Sequence, residues 1–188
     1  MASERAQLRG ALIVEDRRTE RFFRELLDCL GFDWHKFRII PLPNGKGDAR
    51  AWVRKRYPSE VKLLRQKRHQ RLCLIAVRDG DNTGVAPRKA DLDSALCDAG
   101  LDPRQKGERI ATPVPTWSIE TWLLALLGDD TVEETTKTKL AFEKLYPGKE
   151  EGRALRDAAQ AWRSRADQVP SVPSLKDGKT EMSRIDSP

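Results

Sequence analysis

Two short, uninterrupted apolar segments constrain the fold of this chain more than any other feature of its sequence. They are residues 11–14 (Ala-Leu-Ile-Val) and residues 72–77 (Leu-Cys-Leu-Ile-Ala-Val). Strands buried on both faces have such continuous apolar runs, whereas strands with one solvated face alternate apolar and polar residues. The two segments therefore predict interior strands of a parallel sheet that carries helices on both faces.

The remaining predicted elements alternate with these two strands along the chain. Two more strands are predicted over residues 37–42 and 109–114. The spacing of apolar residues predicts helices over residues 22–30, 48–69, 87–99 and 118–127. Pro58 is expected to break the second of these helices. Because short strands alternate with helices, we expect an α/β fold: a mostly parallel, four-stranded, Rossmann-like sheet flanked by helices.

Residues 1–130 contain all of the predicted strands, and the sequence beyond them has a different character. Two further helices, over about residues 131–146 and 149–166, predict a helical extension of the same domain over residues 131–169. Residues 170–188 are rich in Ser, Pro, Lys and Asp and show little periodicity. Such a composition is typical of a flexible tail.

Cysteine and histidine usage excludes several kinds of site. The three cysteines are far apart in the chain, and there are only two histidines. This usage argues against a disulfide framework and a zinc knuckle, and it excludes a His-rich metal site. No apolar run approaches the roughly 18 residues of a membrane span, and residues 1–5 lack the apolar core of a signal peptide. We expect a soluble, cytoplasmic protein whose chemistry uses carboxylates and basic side chains.

The basic residues are concentrated in one segment. The whole chain has 35 Lys and Arg against 29 Asp and Glu, whereas residues 45–71 alone contain ten basic and two acidic residues. A solvated surface helix normally mixes both signs of charge, so this segment indicates a polyanionic partner such as nucleic acid. The residues predicted to contact phosphates are Lys46, Arg50, Arg54, Lys55, Lys62, Arg65 and Arg68.

Acidic residues follow three of the four predicted strands. Glu15 follows the first strand, Asp79 and Asp81 follow the third, and Glu120 follows the fourth. The carboxyl ends of parallel strands meet at one edge of a sheet, where four carboxylates repel one another unless cations neutralise them. Hard oxygen ligands suit Mg²⁺ or Mn²⁺, so the sequence predicts a divalent-metal site there. Taken singly, an Asp-Gly pair is also typical of a turn. Glu15 and Glu120, taken singly, are also typical of acidic residues at the start of a helix, where the helix dipole favours them.

These motifs resemble a known family. Ile13-Val14-Glu15, followed by Thr19-Glu20 and an amphipathic helix, and the later strand that ends in Asp79-Gly80-Asp81, are similar to a Toprim domain. Residues 115–125 (Pro-Thr-Trp-Ser-Ile-Glu-Thr-Trp-Leu-Leu-Ala) resemble small Toprim proteins related to the OLD nucleases, which are often found in phage-defence loci. The resemblance covers roughly residues 9–130 and implies that residues 1–130 form a Toprim-like catalytic domain.

The resemblance implies a two-metal phosphodiester site. Toprim proteins use the glutamate of the first strand as metal ligand and acid/base, and a pair of aspartates holds Mg²⁺. OLD-like members add a second glutamate, a Ser-x-Glu pair and a lysine further along the chain. The implied metal ligands here are Glu15, Glu20, Asp79, Asp81, Ser118 and Glu120. The implied catalytic residues are Glu15, Asp79, Asp81 and Glu120, and the candidate lysines are Lys137 and Lys139.

The chain departs from the family's pattern after the first strand. Asp16 stands where the family has a glycine, and Glu20 lies one residue further from Glu15 than is usual. One added residue rotates a helix position by roughly 100°. Asp16 is therefore an alternative ligand to Glu20.

The leading hypothesis is a Mg²⁺- or Mn²⁺-dependent nuclease that acts on DNA or RNA as an anti-phage defence effector. Because the chain has no nucleotide-triphosphatase motif and relatives commonly work beside an ATPase, a separate ATPase subunit is the expected partner. An alternative is a non-catalytic nucleic-acid-binding or adaptor subunit. A metal-dependent phosphotransferase that acts on small phosphates is a third alternative. Assembly as a homo-oligomer is left open.

Overall fold

Four parallel strands form the centre of the structure, a computed structural model that describes residues 5, 7–41, 49–81 and 83–186. The strands are β1 (Arg9–Ile13), β2 (Phe37–Ile39), β3 (Leu72–Ala76) and β4 (Ile110–Ala111). Their order is β2-β1-β3-β4, and each neighbouring pair is parallel. The predicted parallel α/β sheet is confirmed, although its second and fourth strands are shorter than predicted.

Seven α-helices surround the sheet in the part of the chain that the structure describes. They are α1 (Arg17–Leu30), α2 (Ala49–Gln66), α3 (Val85–Asp98), α4 (Ile119–Leu126), α5 (Lys139–Leu145), α6 (Lys149–Arg165) and α7 (Pro173–Ser183). Short 3₁₀ helices lie at Trp34–Lys36 and Arg184–Asp186. None of these described helices combines the length and apolar character that a membrane crossing requires.

The strands bury both of their faces. On one side of the sheet, Leu12 and Ile75 pack with apolar side chains of α1, α4, α6 and α7. On the other side, Ile13 and Leu74 pack with α2 and α3. Because consecutive strand residues point into two separate apolar cores, both faces require apolar side chains, and this explains the continuous runs in the sequence.

Helix α2 continues through Pro58, where the sequence predicts a break. Val53, Tyr57 and Val61 recur every four residues and are buried against the sheet. Burial of a large apolar side chain stabilises by about 1.5–3 kcal/mol, and a proline inside a helix costs about 3 kcal/mol. Three buried side chains therefore outweigh the proline, and the helix stays continuous.

The C-terminal region differs from the flexible tail predicted for residues 170–188. Its described part forms α7, in which Leu175 is fully buried. The indole Nε1 of Trp122 donates a hydrogen bond of 2.8 Å to Ser174 Oγ, and a Cβ at Gly178 would lie 2.2 Å from the same indole. Ser and Gly are common in loops, but the small size of Ser174 and Gly178 allows α7 to pack against Trp122.

The start of the helical extension also differs from the prediction. Residues 131–138 form turns, and the helix begins only at Lys139. The side chain of Asp129 accepts hydrogen bonds from the backbone N–H and the hydroxyl of Thr131, at 3.0 and 2.6 Å. These local bonds satisfy the backbone in a turn and compete with a helix at this point.

A buried carboxylate attaches α7 to the sheet. Glu181 is 7% exposed and accepts hydrogen bonds from Lys89 Nζ at 3.0 Å and from the backbone N–H of Thr112 at 2.9 Å. The guanidinium of Arg104 bonds both carboxylate oxygens. Burial alone raises the pKa of Glu181, but these hydrogen bonds and the charges of Arg104 and Lys89 outweigh it and lower the pKa to about 2.

We expect Glu181→Gln to lower the free energy of unfolding at pH 7 by about 3 kcal/mol, because it leaves Arg104 and Lys89 without their buried anion. The pKa of Glu181 falls from its usual 4.5 to about 2 on folding. Its contribution is therefore complete above pH 4.5 and is lost as the pH falls toward 2.

Urea denaturation at a series of pH values measures both effects. The variant should show a shallower loss of stability than the wild type as the pH falls below 4.5. The matched control is Glu133→Gln on an exposed carboxylate, with an expected change of less than about 0.5 kcal/mol. Equal stability of the two variants at pH 7 would contradict the prediction.

Candidate functional site

Two loops at the carboxyl edge of the sheet are joined by backbone hydrogen bonds. The N–H of Gly80 donates to the carbonyl of Pro115 at 2.7 Å, and the N–H of Asp81 donates to the carbonyl of Trp117 at 3.1 Å. The first loop follows β3 and the second follows β4. These bonds hold the two aspartates of one loop beside the Ser-x-Glu motif at the end of the other.

The close approach of the two loops requires a glycine at position 80. A Cβ at this position would lie 2.1 Å from the carbonyl oxygen of Thr116, a distance at which the two atoms would overlap. The next residue, Asp81, has φ +49, a left-handed conformation that aspartate adopts more readily than most residues. The Asp-Gly-Asp sequence is therefore a turn, as its composition suggests, and the turn places its carboxylates at the sheet edge.

A cavity of about 580 Å³ opens at this edge, and we call it the carboxylate cavity. Its acidic lining residues are Glu15, Asp16, Asp79, Asp81, Glu120, Glu143 and Glu151. Its basic lining residues are Arg17, Arg18, Arg21 and Lys139, and Trp117 and Ser118 complete it. The structure thus brings together five of the six predicted metal ligands, including all four of the predicted catalytic carboxylates.

Asp79 is surrounded by other carboxylates of the cavity. Burial raises the pKa of its carboxyl well above the usual value, and the charges of Asp16, Glu15, Glu120 and Asp81 raise it further. Within the described part of the chain, no cation forms an ion pair with Asp79. The repulsion expected from the sequence is therefore present at this residue.

Glu15 is also buried, with 9% of its side chain exposed. Burial raises the pKa of Glu15 to about 7, although the charge and hydrogen bond of Arg78 and the backbone N–H of Asp79 oppose this shift. Arg78 Nε lies 3.4 Å from Glu15 Oε1, and its Nη1 bonds Asp91 on α3. Glu15 therefore lies between a buried guanidinium and the aspartate loop.

Two more arginines pair with carboxylates of the cavity. Arg18, in the first turn of α1, bonds Glu120, and its Nη2 lies 3.3 Å from Glu143 and 3.4 Å from Glu151. Arg88 on α3 lies 2.8 Å from Asp81. Arginine side chains therefore supply the positive charge that stabilises these carboxylates in the structure as it stands.

The donor set has the chemistry that a divalent ion requires, but the oxygens are not assembled as a coordination site. Over residues 5, 7–41, 49–81 and 83–186, no group of three or more His, Cys, Asp or Glu side chains is arranged to hold a metal ion. The fit rests on Asp79, which is crowded by other carboxylates and has no cationic partner among the described residues, and on the hydroxyl of Ser118, which forms no capping bond. Mg²⁺ and Mn²⁺ favour such oxygen ligands.

The sixth predicted ligand, Glu20, lies outside the cavity lining. Its carboxylate pairs with Arg24 at 2.5 Å, one turn further along α1. Asp16, the alternative, does line the cavity but acts as the N-cap of α1. Its carboxylate accepts the backbone N–H groups of Arg18 and Thr19 at 2.7 and 2.9 Å. The longer spacing after Glu15 thus turns Glu20 away, as the rotation of a helix predicts.

The two candidate lysines differ in their relation to the cavity. Lys139 belongs to the lining at the start of α5. The ammonium of Lys137 lies 5.6 Å from the ring centroid of Trp117, a cation–π contact at the cavity wall. Lys139 is therefore a lining residue of the carboxylate cavity, whereas Lys137 contacts an aromatic residue that lines it.

Sequence reasoning missed the arginine partners of the carboxylates. Arg78 directly precedes Asp79, and Arg18 lies in the first turn of α1, where a cation is unfavourable to the helix dipole. A basic residue that accompanies an acidic motif at a strand end is a usable signal for such pairing. Arg88 lies seven residues after Asp81 on a separate element, and no local pattern connects the two.

The predicted phosphate contacts divide into three groups. Lys46 and the side chain of Arg50 lie outside the described residues. Arg54 pairs with Asp91 and Asp98 at 2.7 and 2.6 Å, and Arg65 pairs with Glu108 at 2.6 Å, so acidic neighbours compensate both charges. The remaining predicted residues, Lys55, Lys62 and Arg68, are exposed and have no ion-pair partner in the described part of the chain.

Comparison with known proteins adds no relative. No protein-family description, curated protein or solved structure matches this chain. The similarity to Toprim proteins therefore depends on the motifs in the sequence alone, and the functional argument depends on the geometry of the site.

We expect Gly80→Ala to lower the free energy of unfolding by about 1–3 kcal/mol, because the new methyl group must push the two loops apart. Urea denaturation followed by circular dichroism measures the change. Gly107→Ala is the matched control, since a Cβ there meets no atom within 4 Å. If both variants are as stable as the wild type, the two loops do not approach each other as closely as described.

Proposed function

We propose that this protein is a divalent-metal-dependent nuclease whose active site is the carboxylate cavity. One observation carries the proposal: side chains that follow β1, β3 and β4 line a single cavity. Glu15, Asp79, Asp81 and Glu120 are far apart in the sequence and meet at this edge of the sheet. The Toprim resemblance supplies the reaction class, phosphodiester hydrolysis of DNA or RNA.

The residues that would hold the metal ions are Glu15, Asp79, Asp81, Ser118 and Glu120. When bound, a pair of divalent ions supplies charge stabilisation for the attacking and leaving oxygens of a phosphodiester. Glu20 is left out of this set because its carboxylate pairs with Arg24 outside the cavity. Asp16 stabilises the site indirectly, since it fixes the first turn of α1 through its capping bonds.

The other lining residues bind and orient the substrate in this proposal. Arg17, Arg21 and Lys139 line the cavity. Arg21 pairs with Glu151 at 2.9 Å, so the positive charges of Arg17 and Lys139 are the ones that favour a phosphate at an otherwise acidic site. Glu15, next to Asp79, takes the acid/base role that the resemblance implies. Arg18 holds Glu120 in place from α1, so it is a positioning residue.

A second function is favoured by a specific observation. Arg78, Arg88 and Arg18 already pair with Glu15, Asp81 and Glu120. A cavity in which arginines neutralise three of the four candidate catalytic carboxylates has less need of a metal ion and fits a non-catalytic nucleic-acid-binding or adaptor subunit. In either function, a separate ATPase subunit is the proposed partner.

We expect the double variant Asp79→Asn/Asp81→Asn to lose Mn²⁺-stimulated cleavage of labelled DNA and RNA by at least about 100-fold. The amides keep the side-chain volume but remove the charge that binds a metal ion. Asp157→Asn, an exposed carboxylate on α6, is the matched control and should cleave as the wild type does.

Gel analysis of the products with Mn²⁺, Mg²⁺ or EDTA, together with circular dichroism to verify folding, completes this test. Cleavage that persists in EDTA or in the folded double variant would overturn the metal-dependent mechanism. Nucleic-acid binding without cleavage in wild-type protein would favour the adaptor function instead.

A further inference from the structure

The amino-terminal edge of the sheet has a charge opposite to that of the carboxylate cavity. Two cavities of about 490 and 260 Å³ open there, and both are lined by Leu64, Gln70 and Leu72. Both border the loop over residues 67–71, which joins α2 to β3. We call the two cavities with this loop the amino-edge groove.

Basic residues predominate in the groove. Its basic lining residues are Arg9, Lys36, Arg38, Arg65, Lys67, Arg68 and Arg109, and its acidic lining residues are Glu60, Asp102 and Glu108. The carboxylate cavity, at the other end of the strands, has seven acidic and four basic lining residues. The sheet therefore separates a positive edge from a negative one.

Three basic side chains of the groove have no acidic ion-pair partner among the described residues. Arg38 and Arg65 pair with Glu60 and Glu108, so their charges are largely neutralised. Arg9, Lys67 and Arg68 are exposed, and no described residue forms an ion pair with any of them. The positive potential of the groove is therefore available to a ligand.

We propose that the amino-edge groove binds the phosphate backbone of a nucleic acid, without a divalent ion. Lys67 and Arg68 lie in the loop that both cavities border, and Arg9 begins the neighbouring strand β1. Gln70 and Gln105 in the same lining offer amide groups to sugar and phosphate oxygens. The inference goes beyond the proposed function because it assigns a surface that the carboxylate cavity does not include.

The composition of this edge favours nucleic acid over a protein or a lipid surface. Protein interfaces contain an apolar core, whereas nucleic-acid interfaces are more polar and strongly positive. The exposed large apolar side chains of the described chain, Leu140 and Leu145, both lie on α5 and not at this edge. The leucines that line the groove, among them Leu64 and Leu72, are half-buried and not exposed, whereas its exposed side chains are mostly basic. The groove thus offers charge to a polyanion more than it offers an exposed apolar surface to a protein or a lipid layer.

The groove is far from the carboxylate cavity. Helix α2 runs from the carboxyl edge toward the amino edge of the sheet, and its 18 residues span about 27 Å. A nucleic acid held at the groove therefore does not have to enter the carboxylate cavity. Binding at the groove and chemistry at the cavity are separable, and one can fail without the other.

The test uses the double variant Lys67→Glu/Arg68→Glu of the full chain. Its matched control is Arg156→Glu/Lys176→Glu, which changes the net charge equally on exposed positions of α6 and α7. The probe is a fluorescein-labelled, mixed-sequence single-stranded DNA oligonucleotide. Fluorescence anisotropy in EDTA gives the affinity between about 50 and 200 mM salt.

We expect the groove variant to bind about tenfold or more weakly, with a slope of log affinity against log salt shallower by about 1.4, since single-stranded contacts contribute about 0.7 each. The control should keep the wild-type slope. Unchanged binding by the groove variant, an equal loss in the control, or wild-type binding to anionic lipid vesicles but not to the oligonucleotide would each overturn the inference. Cleavage assays with Mn²⁺ are read separately, so failure of the nuclease proposal does not alter this result.

Discussion

Repulsion among carboxylates at one edge of the sheet is the constraint on which the rest of the site depends. The parallel order of β1, β3 and β4 and the backbone bonds from Gly80 and Asp81 bring these side chains into one cavity. Like charges at this separation need a compensating cation or a raised pKa. The structure uses both means: arginines pair with three of the carboxylates, and Asp79 has a strongly raised pKa.

In the proposed nuclease, a guanidinium and a divalent ion would compete for the same carboxylate oxygens. A metal ion would therefore have to replace ion pairs that already stabilise the fold. Arg78 shows the structural side of this competition, since it is 3% exposed and links Glu15 to Asp91 on α3. Without a divalent ion, the seven acidic lining residues of the carboxylate cavity repel a polyanion, whereas the basic edge of the sheet attracts it.

The sequence predicts the sheet and the position of the carboxylates well because both depend on local patterns. Continuous apolar runs mark the strands, and acidic residues directly after them are fixed to one edge by the parallel topology. Pairing across elements leaves no such pattern: Arg88 reaches Asp81 from a separate helix, and Glu181 attaches α7 to the sheet from the far end of the chain. The packing of Ser174 and Gly178 against Trp122 could not be predicted for the same reason. Small residues are typical of loops, and only the position of the tryptophan shows that they belong to a packed helix.

Anomalous scattering from crystals soaked in Mn²⁺ tests the central claim most directly, because it locates the ion without reference to activity. The account predicts a peak within the carboxylate cavity, bonded to oxygens of Asp79 and of at least one carboxylate that follows another strand, with its arginine partner displaced. A fully soaked crystal without a peak in this cavity, and with the pairs of Arg18, Arg78 and Arg88 intact, would contradict it.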